Sequence, residues 1–266
     1  MTVYSRRSFL GGTAAATGLI AGVSGMPAVA ASGPQAQGPQ YGPAGHIAKL
    51  NANENPYGPS PIAIMEAFEA VRQGGAYYVR DTVSRLKSMI AERNGVSAEQ
   101  IALANGSSAV LTFIATAAGQ RGNILVPDLF WDSTVRRGTR QSGEIVRLPK
   151  TESLAIDLEA MEQAISEDVS LVHVTNPNNP TSLVLDGEAL RAFCKKAAKK
   201  ATVLVDEAYN ELTDDPDYYS MVDLVREGHD VIIARTFSKI YGMAGMRVGY
   251  TIASAENTAL IESYAT

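Results

Sequence analysis

Short apolar runs alternate with segments of helical periodicity along most of this chain. Bounded by turn residues, the runs lie at residues 101–104, 124–126, 145–148, 171–175, 203–205, 231–234 and 248–252. Between them, apolar residues recur at helical spacing, as at Leu158, Met161 and Ile165. The alternation predicts an α/β fold with a mostly parallel sheet and helices on both faces. In such a sheet, ligands bind beyond the carboxyl ends of the strands.

Composition excludes several classes of protein. The 266 residues allow one large domain or two small ones. With a formal net charge of −5 and no basic stripe, the chain lacks the feature that binds nucleic acid. The single Cys194 excludes an internal disulfide framework, and three scattered histidines leave no cluster for a structural metal such as zinc. These limits favour a globular enzyme.

The first thirty residues have the pattern of an export signal. Arg6 and Arg7 precede a weakly apolar, Gly/Ala-rich stretch at 11–26, and Ala28-Val29-Ala30 provides a small-residue cleavage site. Residues 1–30 are therefore predicted to be a twin-arginine signal peptide, which implies a periplasmic or otherwise exported protein. The alternative is a transmembrane anchor. It is disfavoured because the apolar run is shorter than the roughly 20 residues of a span.

Three further segments follow the signal. Residues 31–48 are rich in Gly, Pro and Gln and are predicted to be a linker. Residues 49–75 are predicted to form an N-terminal arm and a helix over 61–73, and Asp81 is expected to cap a second helix. Residues 76–266 make up the large domain.

Two of the predicted strand ends have features of a binding site. One suits an anion, and the other orients amide side chains. After the first strand, Asn105-Gly106-Ser107-Ser108 leads into a helix, and the free N–H groups of a helix N-terminus bind phosphate. The alternative is that a serine merely caps the helix. The strand at 171–175 is followed by Asn-Pro-Asn-Asn-Pro-Thr, which predicts a rigid turn that permits cis X-Pro bonds and orients the amide side chains toward a ligand. The alternative is that the turn has only a structural role.

The two remaining strand ends carry a carboxylate and a lysine. Asp206 leaves a buried strand, which is costly unless the carboxylate meets a cation such as a protonated ring nitrogen. Lys239 follows another buried strand, among hydroxyls and glycines, with Arg247 eight residues later. A lysine that acts as a neutral nucleophile needs such a cation-flanked, partly desolvated pocket. The alternative for Lys239 is an ordinary surface lysine.

The ordered set of these segments resembles the fold-type I pyridoxal-phosphate aminotransferases of class I/II. The segments are Asn51-Ala-Asn-Glu-Asn-Pro-Tyr57-Gly, Gly106-Ser-Ser, Asn178-Asn-Pro-Thr181, Asp206-Glu-Ala-Tyr209, and Ser238-Lys239 with Arg247. Within that family, the opening Asn-Glu-Asn-Pro-Tyr-Gly is most similar to the histidinol-phosphate aminotransferases. The resemblance extends from about Leu50 to the end of the chain.

The resemblance implies a role for each strand end. Lys239 would bind pyridoxal 5'-phosphate covalently and then act as general acid and base. Asp206 would pair with the ring nitrogen, and Asn179 and Tyr209 would donate to the ring 3-oxygen. The phosphate would be held by Gly106, Ser107, Ser108, Thr236, Ser238 and Arg247.

Other implied roles lie outside the strand ends. Asn55 and Tyr57 would close over the substrate. Tyr78 would reach the cofactor phosphate of a neighbouring subunit, which implies a homodimer. An aromatic side chain would cover the cofactor ring, and Phe130 is expected in that role with Trp131 as the alternative.

Two departures from the family pattern affect these expectations. Ser182 stands where family members commonly have glycine. Such enzymes also continue, past the strand near Tyr250, into a small domain of about 100 residues. That domain supplies the arginine that grips the substrate carboxylate, and this sequence ends at Thr266, so no residue is assigned that role.

The expected function is transfer of an amino group between an amino acid and a 2-oxo acid, in the manner of a histidinol-phosphate aminotransferase. One alternative is another pyridoxal-phosphate reaction, such as that of a decarboxylase or a C–S lyase, since the same lysine and aspartate serve all of them. A second alternative is a truncated remnant that binds the cofactor without turnover.

Overall fold

The computed structural model describes residues 42–44, 46–78 and 80–265. The chain divides into two units, Met1–Lys49 and Leu50–Thr266. In the first unit the described residues include a turn, in which the Ile47 N–H donates to the Ala44 carbonyl at 2.8 Å. The proposed export signal, its cleavage site and most of the linker lie outside the described residues. The helices and strands of the described residues belong to the second unit.

The predicted alternation of helices and strands is confirmed. The helices are α1 (Pro61–Gly74), α2 (Arg80–Asn94), α3 (Ser107–Gly119), α4 (Ser133–Gly138), α5 (Leu158–Gln163), α6 (Gly187–Ala197), α7 (Pro216–Tyr219), α8 (Val222–Arg226) and α9 (Ala255–Glu262). The strands are β1 (Ile101–Asn105), β2 (Asn123–Pro127), β3 (Ile145–Leu148), β4 (Val169–Thr175), β5 (Thr202–Asp206), β6 (Val231–Thr236) and β7 (Val248–Ile252).

The strands form one mostly parallel sheet in the order β1-β7-β6-β5-β4-β2-β3. Strand β7 runs antiparallel to β1 and β6, and the other neighbouring pairs are parallel. Because β4, β5 and β6 are adjacent and parallel, their carboxyl ends meet at one edge. Thr175 pairs with Asp206, and Asp206 pairs with Ala234, two residues before the polar end of β6 at Thr236, so the ends of these strands lie close together.

Helices cover both faces of the sheet, as predicted. Alternate strand residues point to opposite faces. On one face, Val203 and Val205 of β5 belong to a core with side chains of α2, α5, α6 and α8. On the other, Leu204 belongs to a core with side chains of α3, α4 and α9. Asp206, two residues after Leu204, therefore faces the α3 side.

The prediction that Asp81 caps α2 is wrong. The helix begins at Arg80, and Asp81 lies in its first turn. A carboxylate there still interacts favourably with the positive end of the helix dipole, which explains why the sequence pattern resembles a cap.

Helix α1 forms where its periodicity predicts it, and the Ser60 side chain caps it by accepting from the Ala63 N–H at 3.2 Å. Its apolar side chains do not reach the core. They are between 69% and 74% exposed at Ile62, Met65, Phe68 and Val71.

Among the described residues, no helix combines the length and hydrophobicity needed to cross a membrane.

Candidate active site

A cavity of about 470 Å³ opens at the carboxyl ends of β4, β5 and β6 and the N-terminus of α3. It brings together most of the residues that the sequence singles out. Those that line it are Ser107, Ser108, Trp131, Asn179, Asp206, Tyr209, Thr236, Ser238, Lys239 and Arg247. Chemistry-bearing residues from distant segments therefore share one site.

The α3 end of the cavity is built to hold an anion. Gly106 is the N-cap of α3 with φ +85°, and no side chain caps this helix. Serine capping is therefore not the role of Ser107 and Ser108, which lie in the first turn beside the free N–H groups. Arg247 lies against Gly106 so closely that a Cβ at Gly106 would collide with its guanidinium. Helix dipole, free N–H groups and guanidinium all favour a phosphate here.

The phosphate side is also shaped by β7. Arg247 has left-handed backbone angles, φ +56° and ψ +57°, and its Nη1 donates to Ser238 Oγ at 3.3 Å. Gly249 packs against the start of α3, where a Cβ would collide with the backbone of Gly106 and Ser107. Glycine is therefore needed at both Gly106 and Gly249 to let the backbone and Arg247 approach.

Asp206, the last residue of β5, is buried and has few bonding partners. It is 5% exposed, and its Oδ1 accepts one hydrogen bond from the Ala208 N–H at 3.1 Å. Burial raises the pKa of Asp206 to about 7, opposed by the Ala208 hydrogen bond and the charge of Lys239. A cation bound in the cavity would favour the ionised form of this carboxyl.

Lys239 and Tyr209 face each other across the cavity. Lys239 Nζ lies 5.4 Å from the centroid of the Tyr209 ring and donates to the Asn53 carbonyl at 2.8 Å. Tyr209 Oη accepts from Asn53 Nδ2 at 2.9 Å and from Asn179 Nδ2 at 3.5 Å. With two amides donating to the oxygen, the tyrosine proton is left to donate to a ligand.

The three asparagines of the turn after β4 have different roles. Asn176 Oδ1 accepts from the Leu185 N–H at 2.8 Å, and Asn178 Nδ2 donates to the Leu129 carbonyl at 3.1 Å. Both therefore stabilise the turn, in which the Asn176-Pro177 and Asn179-Pro180 bonds are cis. Asn179 is the one of the three that lines the cavity, as the sequence predicts.

The structure favours Trp131 over Phe130 as the aromatic residue at the cofactor ring. Phe130 is 7% exposed and belongs to the core on the α3 face, with its ring 5.1 Å from that of His173 in an edge-on arrangement. Trp131 lines the cavity instead. Although the two residues are adjacent, Phe130 lies in the core and Trp131 lines the cavity. The sequence around Pro127 does not specify which of the two aromatic side chains faces the cavity.

The remaining predicted residues lie at the rim or outside. Asn55 and Tyr57 border an adjoining cavity of about 540 Å³ that also contacts Lys239 and Tyr209. Asn55 Nδ2 donates to the Ile240 carbonyl at 2.8 Å, whereas Tyr57 is 93% exposed. Tyr78 is fully exposed and borders neither cavity, so its predicted role toward a second subunit stays a prediction.

Sequence reasoning missed Thr175 and Asn53. Thr175 is the last residue of β4 and lines the cavity, so its position at a strand end could have identified it. Asn53 lies in the motif that carries Asn55 and Tyr57, but its contacts with Lys239 and Tyr209 join residues more than 150 positions apart. No local signal in the sequence predicts those contacts.

These residues fit pyridoxal phosphate in three respects. The α3 N-terminus with Arg247 suits its phosphate, the buried Asp206 suits a protonated ring nitrogen, and Lys239 provides an amine for its aldehyde. The incompletely compensated burial of Asp206 is the most informative of the three, because a structural carboxylate at this depth would be paired.

Comparison with known proteins agrees with this site. Residues 45–265 match the family model of aminotransferase class I and II. The chain is 36% identical to histidinol-phosphate aminotransferases from Cupriavidus pinatubonensis (strain JMP 134) and Brevibacillus brevis (strain 47), with 81% of this chain and 57% and 59% of theirs covered. Its structure is similar to that of histidinol-phosphate aminotransferase from Sinorhizobium meliloti in complex with pyridoxal-5'-phosphate. The TM-score is 0.72 at 28% identity, over 80% of this chain and 57% of that one.

The chain thus spans less than two thirds of the length of the relatives it matches. The family match nevertheless covers the whole sheet and each strand end that lines the cavity. By its sequence, its sheet topology and its site, the chain belongs to the aminotransferase class I and II family.

Proposed function

We propose that this protein binds pyridoxal 5'-phosphate through Lys239 and transfers an amino group between an amino acid and a 2-oxo acid, as a histidinol-phosphate aminotransferase-like enzyme. The observation that carries the proposal is the meeting of Lys239 and the buried Asp206 in one cavity with an anion site at the N-terminus of α3. An anion site alone is common, and so is a lysine at a strand end. The three groups together suit one cofactor.

Each side chain has a defined task in this proposal. When bound, pyridoxal phosphate supplies an electron-accepting ring and the carbon that takes up the amino group. Asp206 keeps a proton on the ring nitrogen, since its ionised form in a buried site favours a cation beside it. Tyr209 donates its hydroxyl proton to the ring oxygen. Lys239 Nζ moves the proton to and from the substrate Cα as general base and acid.

The cofactor proposal can be tested by trapping. Wild-type protein mixed with pyridoxal phosphate should retain the cofactor after borohydride reduction, and the labelled peptide should contain Lys239. Lys239→Ala should retain none. Lys196→Ala is the matched control, because Lys196 lies on α6 and pairs with Glu162 at 3.0 Å, away from the cavity. Equal trapping by Lys239→Ala and wild type would refute the assignment.

The substrate part of the proposal needs a separate assay. The purified protein should convert an amino donor and a 2-oxo acid into the exchanged pair, and histidinol phosphate should be included among several amino acid donors. The similarity to histidinol-phosphate aminotransferases supports its inclusion. Release of carbon dioxide or a thiol without amino transfer would contradict transamination.

We also propose that the protein is a homodimer. The exposed apolar side chains of α1, together with the fully exposed Tyr78, support this, because an uncovered apolar helix face is unfavourable in water. Sedimentation analysis should give twice the chain mass, and Met65→Glu with Phe68→Glu should lower it toward the monomer. A monomeric wild-type protein would contradict the proposal.

Export by the twin-arginine route is the last proposal, and it rests on residues 1–30 of the sequence. Fractionation of cells should find the protein outside the cytoplasm. Arg6→Lys with Arg7→Lys should leave it inside, since the route depends on the arginine pair. Unchanged export of that variant would refute it.

A further inference from the structure

A second charged cluster lies beneath the cavity, on the opposite face of the sheet. Glu207 follows Asp206 and is 0% exposed, and Arg235 precedes Thr236 and is 9% exposed. Arg235 Nε and Nη2 donate to Glu207 Oε2 at 2.9 Å and 2.8 Å. The pair joins the ends of β5 and β6, because the Glu207 N–H also donates to the Ala234 carbonyl at 2.9 Å.

The cluster satisfies the hydrogen-bonding groups of both charges. Glu207 Oε1 accepts from the Met221 N–H at 2.7 Å, and Oε2 also accepts from Ser220 Oγ at 3.1 Å. Arg235 Nη2 donates to Ser220 Oγ at 2.8 Å, and Nη1 donates to Asn94 Oδ1 at 3.2 Å. A buried ion pair is tolerated only with such additional bonds. These bonds tie the two strand ends to the end of α2 and to the loop before α8.

The position of the pair relates it to the cavity. Asp206 and Thr236 face the cavity, and their direct neighbours Glu207 and Arg235 point away from it, as strand alternation requires. Any displacement of the pair therefore moves two cavity residues. The charges matter as well: burial is the main cause of the raised pKa of Asp206, and the negative charge of Glu207 adds a smaller contribution in the same direction. Burial opposes the charge on Arg235, but Glu207, Tyr250 and Glu211 outweigh it and raise the pKa of Arg235.

We propose that Glu207 and Arg235 are positioning residues for the cofactor: their ion pair holds the ends of β5 and β6 in register, and their two charges offset each other beneath Asp206. The inference rests on the proposed binding of pyridoxal phosphate. Neither residue lines the cavity, and both are largely buried.

The test uses two single variants and their combination, each loaded with pyridoxal phosphate. Glu207→Gln leaves the positive charge of Arg235 unpaired, and Arg235→Gln leaves the negative charge of Glu207 unpaired. The measured quantities are the cofactor Kd and the pH midpoint at which the visible absorbance of bound cofactor changes. An unpaired positive charge disfavours cofactor protonation, so Glu207→Gln should move the midpoint down by about one pH unit, and Arg235→Gln should move it up. In both, Kd should rise about tenfold.

The double variant separates charge from packing. Glu207→Gln with Arg235→Gln removes both charges and retains two amides that can bond to each other, so its midpoint should return to the wild-type value. A merely structural role predicts no midpoint shift in either single variant, or shifts in the same direction. Either result overturns the inference.

Asp223→Asn is the matched control. Asp223 accepts from Arg191 Nε at 2.6 Å, and Arg191 also donates to the Ser220 carbonyl at 3.1 Å, so this pair contacts the same loop without following a cavity residue. Its midpoint and Kd should equal those of wild type, and a shift as large as that of Glu207→Gln would overturn the inference.

A conservative variant covers the case in which the glutamine variants do not fold. Arg235→Lys keeps the charge but cannot bond to Glu207, Ser220 and Asn94 together. Its midpoint should stay at the wild-type value while Kd rises about tenfold. An unchanged Kd overturns the positioning role. Wild-type protein that binds no cofactor would refute the proposed function itself, whereas normal wild-type binding with unaffected variants refutes this inference alone.

Discussion

Asp206 and Glu207 are consecutive carboxyl residues at one strand end, and their surroundings differ sharply. Glu207 is bonded to a guanidinium, a hydroxyl and a backbone N–H. Asp206 has one backbone N–H, and its burial raises its pKa to about 7. The strand alternation sends Glu207 to a face where its partners are already in place. It sends Asp206 to a cavity where only the charge of Lys239 and one backbone N–H oppose the cost of its burial, and a cationic ligand would add to them. The carboxyl with fewer bonds to the protein marks the functional face.

The largest expected difference between the two faces is in catalysis. Asp206→Ala removes the charge that would hold a proton on the cofactor ring nitrogen, so kcat should fall by about 10³-fold. Cofactor binding should weaken much less, because the phosphate site and Lys239 remain. Steady-state kinetics and cofactor titration measure the two quantities. Equal losses in both would contradict the electronic role of Asp206.

The next difference is in stability. Glu207→Ala leaves the buried Arg235 without its partner, and the free energy of unfolding should fall by about 3–5 kcal/mol. Asp206→Asn should not lower it at neutral pH, since this removes a carboxyl whose ionisation burial disfavours. Urea unfolding of both cofactor-free variants makes the comparison. Similar losses of unfolding free energy in Glu207→Ala and Asp206→Asn would contradict the difference that the contacts of the two carboxyl groups indicate.

The raised pKa of Asp206 also predicts a pH dependence. In the cofactor-free protein the folded state binds a proton at Asp206 that the unfolded state releases above about pH 4. Stability from this group is therefore lost as pH rises toward 7, by roughly 2 kcal/mol between pH 5 and pH 7. The measurement is the difference in unfolding free energy between wild type and Asp206→Asn at the two pH values. Both proteins contain the buried His173, whose pKa burial lowers to about 3, so its opposite pH dependence cancels in the difference. A pH-independent difference would refute it.

The smallest expected effect concerns backbone strain on the cavity side. Ser182 borders the adjoining cavity and has φ +59°, in the left-handed region that glycine adopts freely. Ser182→Gly should raise the free energy of unfolding by about 1 kcal/mol. Thermal unfolding can detect this, with Ser153→Gly as a control on an exposed turn. A destabilised Ser182→Gly variant would mean that the serine side chain contributes more than the strain costs.

Much of this architecture is predictable from local patterns. The apolar runs locate each strand to within about two residues, because a buried strand needs consecutive apolar side chains. Gly106 at the phosphate site and the positions of Asp206 and Lys239 after buried strands are also local signals. Asn53 is different: it reaches Lys239 only because the arm folds back over the sheet, and no periodicity specifies that path.

The sequence by itself determined the α/β class, the strands and the polar residues at their ends, because these depend on hydrophobic periodicity and turn chemistry within a few residues. Only the tertiary structure decided which of two neighbouring side chains faces the cavity, as for Phe130 and Trp131. It also decided that Arg235 donates to both Glu207 and Asn94 beneath the site. Those choices depend on packing between segments far apart in the chain, where each side chain's partner is supplied by a different element.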